Sequence, residues 1–233
     1  MAPRGRGGKS LGRRAMTQRR PTWYLDLYFI VGVAVLALAI WVFHTLVEDV
    51  LERDPLVRWD AAVASWVHSH TTGSGVRFFT VVTHLGSATA VWVIAAVGVP
   101  VLRRRRVLMT AWAAAFVGAA LLEKVLKQAI QRARPPADIS HVESESYSFP
   151  SGHAIKGLVC YAMLAYVLGR VADLEGPRRI AVYVAAAALI AAIGWSRVYL
   201  GAHYPSDVVA GFVVGIAWVA ICLVGVRLGA PRG

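Results

Sequence analysis

The run Phe78 to Leu102, FFTVVTHLGSATAVWVIAAVGVPVL, is 25 residues without an Asp, Glu, Lys or Arg, interrupted only by His84 and Pro100. A helix crosses the hydrocarbon of a bilayer in about 20 apolar residues, so this run is long enough to span. Working outward, similar runs cover Leu27–Val47, Val107–Leu122, His153–Gly169, Ile180–Ser196 and Val208–Val226. The third and fourth runs are the least apolar: one continues through Glu123, Lys124 and Lys127, and the other carries Lys156 near its start. Backbone polar groups in lipid must be satisfied within the segment, which leaves helices for runs of this length. The fold expected is therefore an all-α, polytopic membrane bundle of about six transmembrane helices.

Composition agrees. Of 233 residues 57% are apolar and 16% are charged, against about a quarter charged in soluble domains. One soluble core of this size has too little interior for that much apolar surface. The same numbers exclude an intrinsically disordered chain. The formal charge of +12 would suit nucleic acid, but in a membrane protein it is better read as cations gathered at one face. No nucleic-acid partner is expected; the bilayer is the partner. Cys160 and Cys222 both lie inside apolar runs, so buried thiols are expected, and neither a disulfide nor a cysteine-based metal site.

Cation counts set the orientation. Segments 1–26, 103–106, 170–179 and 227–233 carry 16 of the 25 Lys and Arg, whereas 48–77 and 123–150 carry 7 against 9 acids. With positive charge inside, both termini are cytoplasmic. Residues 1–24 then form a flexible basic tail touching headgroups, 25–228 the six-span domain, and 229–233 a short cytoplasmic end. Arg13-Arg14 and Arg19-Arg20 precede an apolar run in the manner of an export signal, but that run is long enough to be a retained anchor span. Between the first two spans, Leu56, Trp59, Val63, Trp66 and His70 recur at helical spacing, which predicts an amphipathic interfacial helix over about 55–70. It can border a lipid entry route.

Polar groups that persist at membrane depth are costly and call for a function. They cluster in Lys127 to Pro135, in Pro150-Ser151-Gly152-His153, and in Ser196-Arg197 through His203 to Asp207, all assigned to the outer face. Lys127, Arg134 and Arg197 bring three cations suited to a doubly charged phosphoryl group; singly, each would read as a headgroup-snorkelling cation. Ser151 suits the N-cap of the following helix, and Gly152 lets backbone approach a ligand at a helix end that favours anions. His203 and Asp207 lie one helical turn apart, with Pro205 in the first turn. A carboxylate there can take the imidazole Nδ1–H and leave Nε2 as a base or nucleophile. His153 can protonate a leaving group. No His-Glu-x-x-His pattern or carboxylate cluster points to a metal, and no cofactor is expected. His68 and His70 would point apart; His44, His84 and His141 read as isolated polar residues, and Lys156 could touch the phosphate but reads rather as a snorkelling cation.

Lys-x6-Arg-Pro, Pro-Ser-Gly-His and Ser-Arg-x5-His-x3-Asp, complete and in this order, resemble the signature of the type 2 phosphatidic acid phosphatase superfamily, which also contains vanadium haloperoxidases. The resemblance implies that His203 attacks phosphorus to form a phosphohistidine, with Asp207 orienting it. His153 would protonate the departing oxygen and then activate water. Lys127, Arg134, Arg197, Ser151 and the N–H of Gly152 would hold the equatorial oxygens, without a metal. The implied substrate is a lipid phosphate or diphosphate of the undecaprenyl diphosphate, phosphatidic acid or phosphatidylglycerophosphate type, met at the outer face. Loop 137–149, with Glu143, Glu145 and Tyr147, is the expected discriminator among headgroups. A lipid phosphotransferase would share all three motifs. A transporter would place charges near the midplane of two related halves, which this chain does not show. The haloperoxidases of the family are soluble, unlike this chain.

Overall fold

Helix α6, Gly152–Val171, is the centre of the computed structural model, packed against α4 (Ala88–Leu102), α5 (Arg106–Ile130), α7 (Gly176–Tyr199) and α8 (Pro205–Gly229). More than half of it is buried, although with α5 it is one of the two least apolar spans, with mean hydropathies of 1.5 and 1.4. Its central place follows from that composition: Gly, Ala, Cys and Ser-sized residues let neighbouring backbones come close, which is how helices associate where no water drives them together. At Gly211 of α8, an added Cβ would press on Ala154 and on the Ser151 carbonyl of α6.

The structure describes residues 23–52, 55–142 and 146–229, and among these it contains helices only. In order they are α1 (Trp23–Glu52), α2 (Pro55–Ser69), α3 (Gly73–His84), α4 (Ala88–Leu102), α5 (Arg106–Ile130), α6, α7 (Gly176–Tyr199) and α8 (Pro205–Gly229). Among the described residues six segments are long and apolar enough to cross a membrane, the second being α3 and α4 together. The basic tail with its paired arginines, Glu143 and Glu145, and residues 230–233 lie outside the described residues.

The outside of the bundle is apolar, with Trp41, Val81, Val97, Val125 and Ile180 all exposed. Inside, the core runs from Trp112 and Phe116 on α5 through Ile155, Val159 and Met163 on α6 to Ile193 on α7. Indole N–H groups find backbone acceptors across helices: Trp112 donates to Ala95 at 3.0 Å, and Trp218 donates to Ala115 at 3.1 Å. Cys160 and Cys222 are buried free thiols.

The apolar run Phe78–Leu102 is divided between α3 and α4. Ser87 caps α4 by accepting from the Ala90 N–H at 3.2 Å, and Tyr161 Oη donates to the Leu85 carbonyl at 2.9 Å. Gly86 has little room for a side chain, its Cβ position lying 2.5 Å from Ile193 and 3.4 Å from His153. A capping serine, a glycine and a hydroxyl from another helix together supply what the broken turn loses. Hydropathy averages over such a break, so composition did not reveal it.

Helix α2 forms where expected, but its packed face is Asp60, Ala64 and Val67; Trp59 and Trp66 face outward. The opposite end of the bundle from the α5–α6 loop gathers the arginines that flank α4, α5 and α6, where Arg105 Nη1 donates to the Arg170 carbonyl at 3.1 Å.

Candidate active site

The C-terminal ends of α5 and α7 and the N-terminal ends of α6 and α8 meet at one end of the bundle, together with the α3–α4 break. Between them lies a cavity of about 340 Å³ lined by Lys127, Arg134, Gly152, His153, Arg197 and His203, with Thr83, His84, Ser87, Glu123, Ser146 and Lys156. All three sequence clusters therefore converge. Ser151 and Asp207 stand behind this wall, both fully buried.

Local backbone rules set each placement. Gln131 adopts the left-handed conformation at φ 52° and closes α5 by donating its N–H to the Lys127 carbonyl at 3.0 Å. That turn sends Arg132 and Arg134 into the bundle. After α7, Gly201 takes φ 66°, where an added Cβ would drive into the Ile139 carbonyl. The His203 N–H then donates to the Arg197 carbonyl at 3.2 Å, so the loop folds back over the end of α7 and buries the imidazole.

His203 is held between a carboxylate and a guanidinium. Its Nδ1 lies 3.4 Å from Asp207 Oδ2, and its Nε2 lies 3.4 Å from Arg134 Nη1. A guanidinium can only donate, so Nε2 is the acceptor and the neutral ring carries its proton on Nδ1, facing Asp207. Burial, reinforced by the Arg197 and Arg134 charges and opposed by Asp207, pushes the imidazole down to about 4. The ring is neutral at pH 7, with its lone pair on the cavity wall.

Asp207 is fixed more firmly than it fixes His203. Oδ2 accepts from Ser148 Oγ and, at 2.9 Å, from the Tyr204 N–H, while Oδ1 accepts from Arg132 Nη1 at 2.6 Å. Arg134 donates through Nε to the Ser146 carbonyl at 2.6 Å and through Nη1 to the Ala202 carbonyl at 2.7 Å. Burial pulls this guanidinium's affinity for its proton down, against the pull of Asp207 and Glu123. Lys127 Nζ donates to Ser146 Oγ at 3.1 Å and lies 3.6 Å from Glu123 Oε1. Arg197 Nη1 donates to Thr83 Oγ1 at 2.8 Å, and its buried Nε has no partner.

Three expectations need correction. Ser151 occupies the N-cap of α6, but its hydroxyl makes no capping bond and is buried without a partner, while the Ser151 N–H donates to the Asp207 carbonyl at 2.9 Å. The first turn of α6 is thus left with unmet donors at the cavity. Lys156 does not snorkel outward: it pairs with Glu123 Oε2 at 2.6 Å inside the pocket. His44, His84 and His141 are not isolated. His44 lies 3.1 Å from Glu48, His84 bonds the Thr80 carbonyl beside the cavity, and His141 stacks on His68.

Sequence reasoning missed several members. Arg132 lies inside the first cluster and was overlooked beside Arg134; Asp60 was read only as part of a surface helix. Ser146 and Ser148 sit in a loop whose role composition does not disclose. Asp60 had a signal: it shares a stripe with Ala64 and Val67, at i, i+4 and i+7, that avoids both tryptophans. Glu123 closes the roof: a Cβ on Gly152 would collide with its carboxylate, so this glycine makes room for that protein group.

The model of the PAP2 superfamily matches residues 107–228, just over half of the chain and every residue of the three clusters. The chain belongs to the PAP2 superfamily. Among its relatives, phosphatidylglycerophosphatase B of Bacillus subtilis (strain 168) is 40% identical over 97 residues, which is 41% of this chain and 47% of that protein. The match thus spans less than half of that relative's length. Decaprenylphosphoryl-5-phosphoribose phosphatase of Mycobacterium tuberculosis (strain CDC 1551 / Oshkosh) is 34% identical over 60% of this chain and 73% of its own. The crystal structure of a transmembrane PAP2 type phosphatidylglycerolphosphate phosphatase from Bacillus subtilis superposes with a TM-score of 0.72 at 27% identity, covering 81% of this chain and 94% of that one. The PAP2 core accordingly comprises α5 to α8, and α1 to α4 pack around it. This PAP2 protein is an integral membrane protein.

Proposed function

We propose that this chain is a lipid phosphate phosphatase that forms a phosphohistidine on His203. The observation that carries the reading is the His203 tautomer: a neutral imidazole presents Nε2 to a cavity walled by Lys127, Arg134 and Arg197. Nε2 attacks phosphorus, the P–O bond to the lipid breaks, and His153 gives its proton to the departing oxygen. The proton on Nδ1 stays, and Asp207 offsets the positive charge that the ring acquires. Water then attacks the phosphohistidine and gives a proton to His153; the P–N bond breaks and both histidines return to their starting states. The transition state spreads charge over three equatorial oxygens, and preorganised cations stabilise it without reorganising. The unpartnered Arg197 Nε, the Ser151 hydroxyl and the first N–H groups of α6 are donors of the required kind.

The phosphate is attached to a lipid, because the cavity opens at one end of a bundle whose flanks are apolar. Phosphatidic acid, phosphatidylglycerophosphate and undecaprenyl diphosphate all present such a group. The cation asymmetry of the connecting segments supports an outer-face position for this end, with Trp59 and Trp66 of α2 in the interface beside it. The test is phosphate release from a panel of these three lipids by purified protein in excess EDTA. Release is expected, with inhibition by vanadate and loss of activity in His203→Ala. Strict dependence on Mg2+, or full activity in that variant, refutes the mechanism. Labelled phosphate that appears on a second lipid and never in water identifies a phosphotransferase instead.

A further inference from the structure

The Asp207 carboxylate is held from behind by a residue that belongs to none of the three clusters. Asp60, on α2, is fully buried, and every contact it makes leads to the start of α8. Its Oδ2 accepts from Arg132 Nη2 at 2.7 Å and from Ser206 Oγ, and its Oδ1 accepts from the Ser206 N–H at 3.0 Å. Arg132 extends its other arm, Nη1, to Asp207 Oδ1 at 2.6 Å and to Ser206 Oγ at 2.7 Å. The Tyr204 ring lies under the same guanidinium, 4.4 Å from its carbon.

The planar fork of an arginine is fixed when each arm is anchored separately. Here one anchor is Asp60, and the object on the other arm is the carboxylate that faces His203. We propose that Asp60 is a positioning residue for the reaction, acting through Arg132 to hold Asp207 against the Nδ1–H of His203. This rests on the phosphohistidine reading above.

Charge gives Asp60 a second effect. Burial works against the Arg132 charge, but Asp207 and Asp60 outweigh it and raise its affinity for the proton, so the cluster is one cation between two anions. That leaves one net negative charge beside a ring that turns cationic when Nε2 bonds phosphorus. With Asp60 neutral, Arg132 and Asp207 cancel and the ring loses part of that stabilisation. The phosphate-binding cations are untouched, so the loss falls on turnover and not on binding.

The test is a double-mutant cycle with Asp60→Asn and Asp207→Asn, on the best-hydrolysed lipid of the panel in detergent micelles. Asp60→Asn is expected to lower kcat about 10- to 100-fold, as removal of a group that orients a reacting one does elsewhere. KM should stay within about twofold, since ground-state contacts are unchanged. In the Asp207→Asn background the same change should cost almost nothing further, because its effect passes through Asp207. Arg132→Lys, which has one arm instead of two, should reproduce the kcat loss and serves if Asp60→Asn does not fold. Wild-type kcat in a folded Asp60→Asn protein overturns the proposal; so does an equal loss with Asp207 present or absent, the signature of a merely structural role. A wild-type protein that releases no phosphate from any lipid refutes the phosphatase reading itself, a result the cycle keeps separate.

Discussion

At the scale of single residues, the role proposed for His203 requires a neutral ring. An imidazole in water titrates near 6.5, but here burial and two neighbouring guanidinium groups push it to about 4, with Asp207 pulling the other way. The direction has a sign in two measurements. With His203 as the proposed nucleophile, the reactive form is lost only as pH falls toward 4, so the acid limb of kcat/KM, corrected for the substrate's own ionisation, should lie well below 6.5. Folding follows the same shift. Between about 6.5 and 4 the unfolded chain binds this proton and the folded one does not, so stability contributed here is full at neutral pH and declines through that window. An acid limb near 6.5 would show that His203 is more hydrated than its burial indicates. Asp207→Asn tests the tautomer directly: an amide can donate to Nδ1 and turn the ring over. A fall in kcat of about 10⁴, the cost of the equivalent change in a serine-protease triad, marks the upper end of what is expected. Circular dichroism should remain helical.

At the scale of elements, the site depends on where helices stop. The sequence disclosed two of these ends, because Pro205 opens α8 and the Pro-Ser-Gly turn opens α6, whereas α5 runs on past Leu122 through Glu123, Lys124 and Lys127 to Ile130. It did not disclose the α3–α4 break, since Gly86 and Ser87 are two small residues inside an apolar run, and their effect arises from Tyr161 and Ile193 on other helices. Nor did it disclose Asp60, because tryptophans dominate any reading of an amphipathic helix while a buried carboxylate is recognised only by its partner 72 residues away. The K-x6-RP, PSGH and SR-x5-H-x3-D residues were legible because their chemistry is carried by side-chain type; Ser146, Ser148 and Glu123 were not, because they serve other side chains. Gly201 shows an element end at work. Its φ of 66° and the adjacent Ile139 carbonyl leave no room for a side chain. Gly201→Ala should destabilise the fold by about 1–3 kcal/mol, the usual cost of forcing a residue into such a conformation. Activity should fall further than stability, because His203 is two residues on. Thermal unfolding in detergent, read beside kcat in the folded protein, separates the two effects; an unchanged midpoint would mean that the loop relaxes.

At the scale of the whole molecule, two ends of one bundle carry different charge chemistry. One end has the arginines of 103–106 and 170–179, whose charges are free to meet anionic headgroups; the other has cations turned inward to a cavity and paired with Glu123, Asp60 and Asp207. Only unpaired, surface-lying cations report on orientation, because a buried pair contributes nothing to the field that retains a segment on the cytoplasmic side. Discounting the paired cations of the 123–150 connection therefore sharpens the asymmetry on which the proposed outward position of the cavity end rests. Both native thiols are buried, so the chain supplies its own background for cysteine labelling. In intact cells a membrane-impermeant maleimide should modify Asp138→Cys, in the exposed connection between α5 and α6, and leave Arg104→Cys unmodified until the membrane is permeabilised. The reverse pattern would put the cavity at the cytoplasmic face, where the same chemistry would act on the inner leaflet and on a different pool of lipid phosphates.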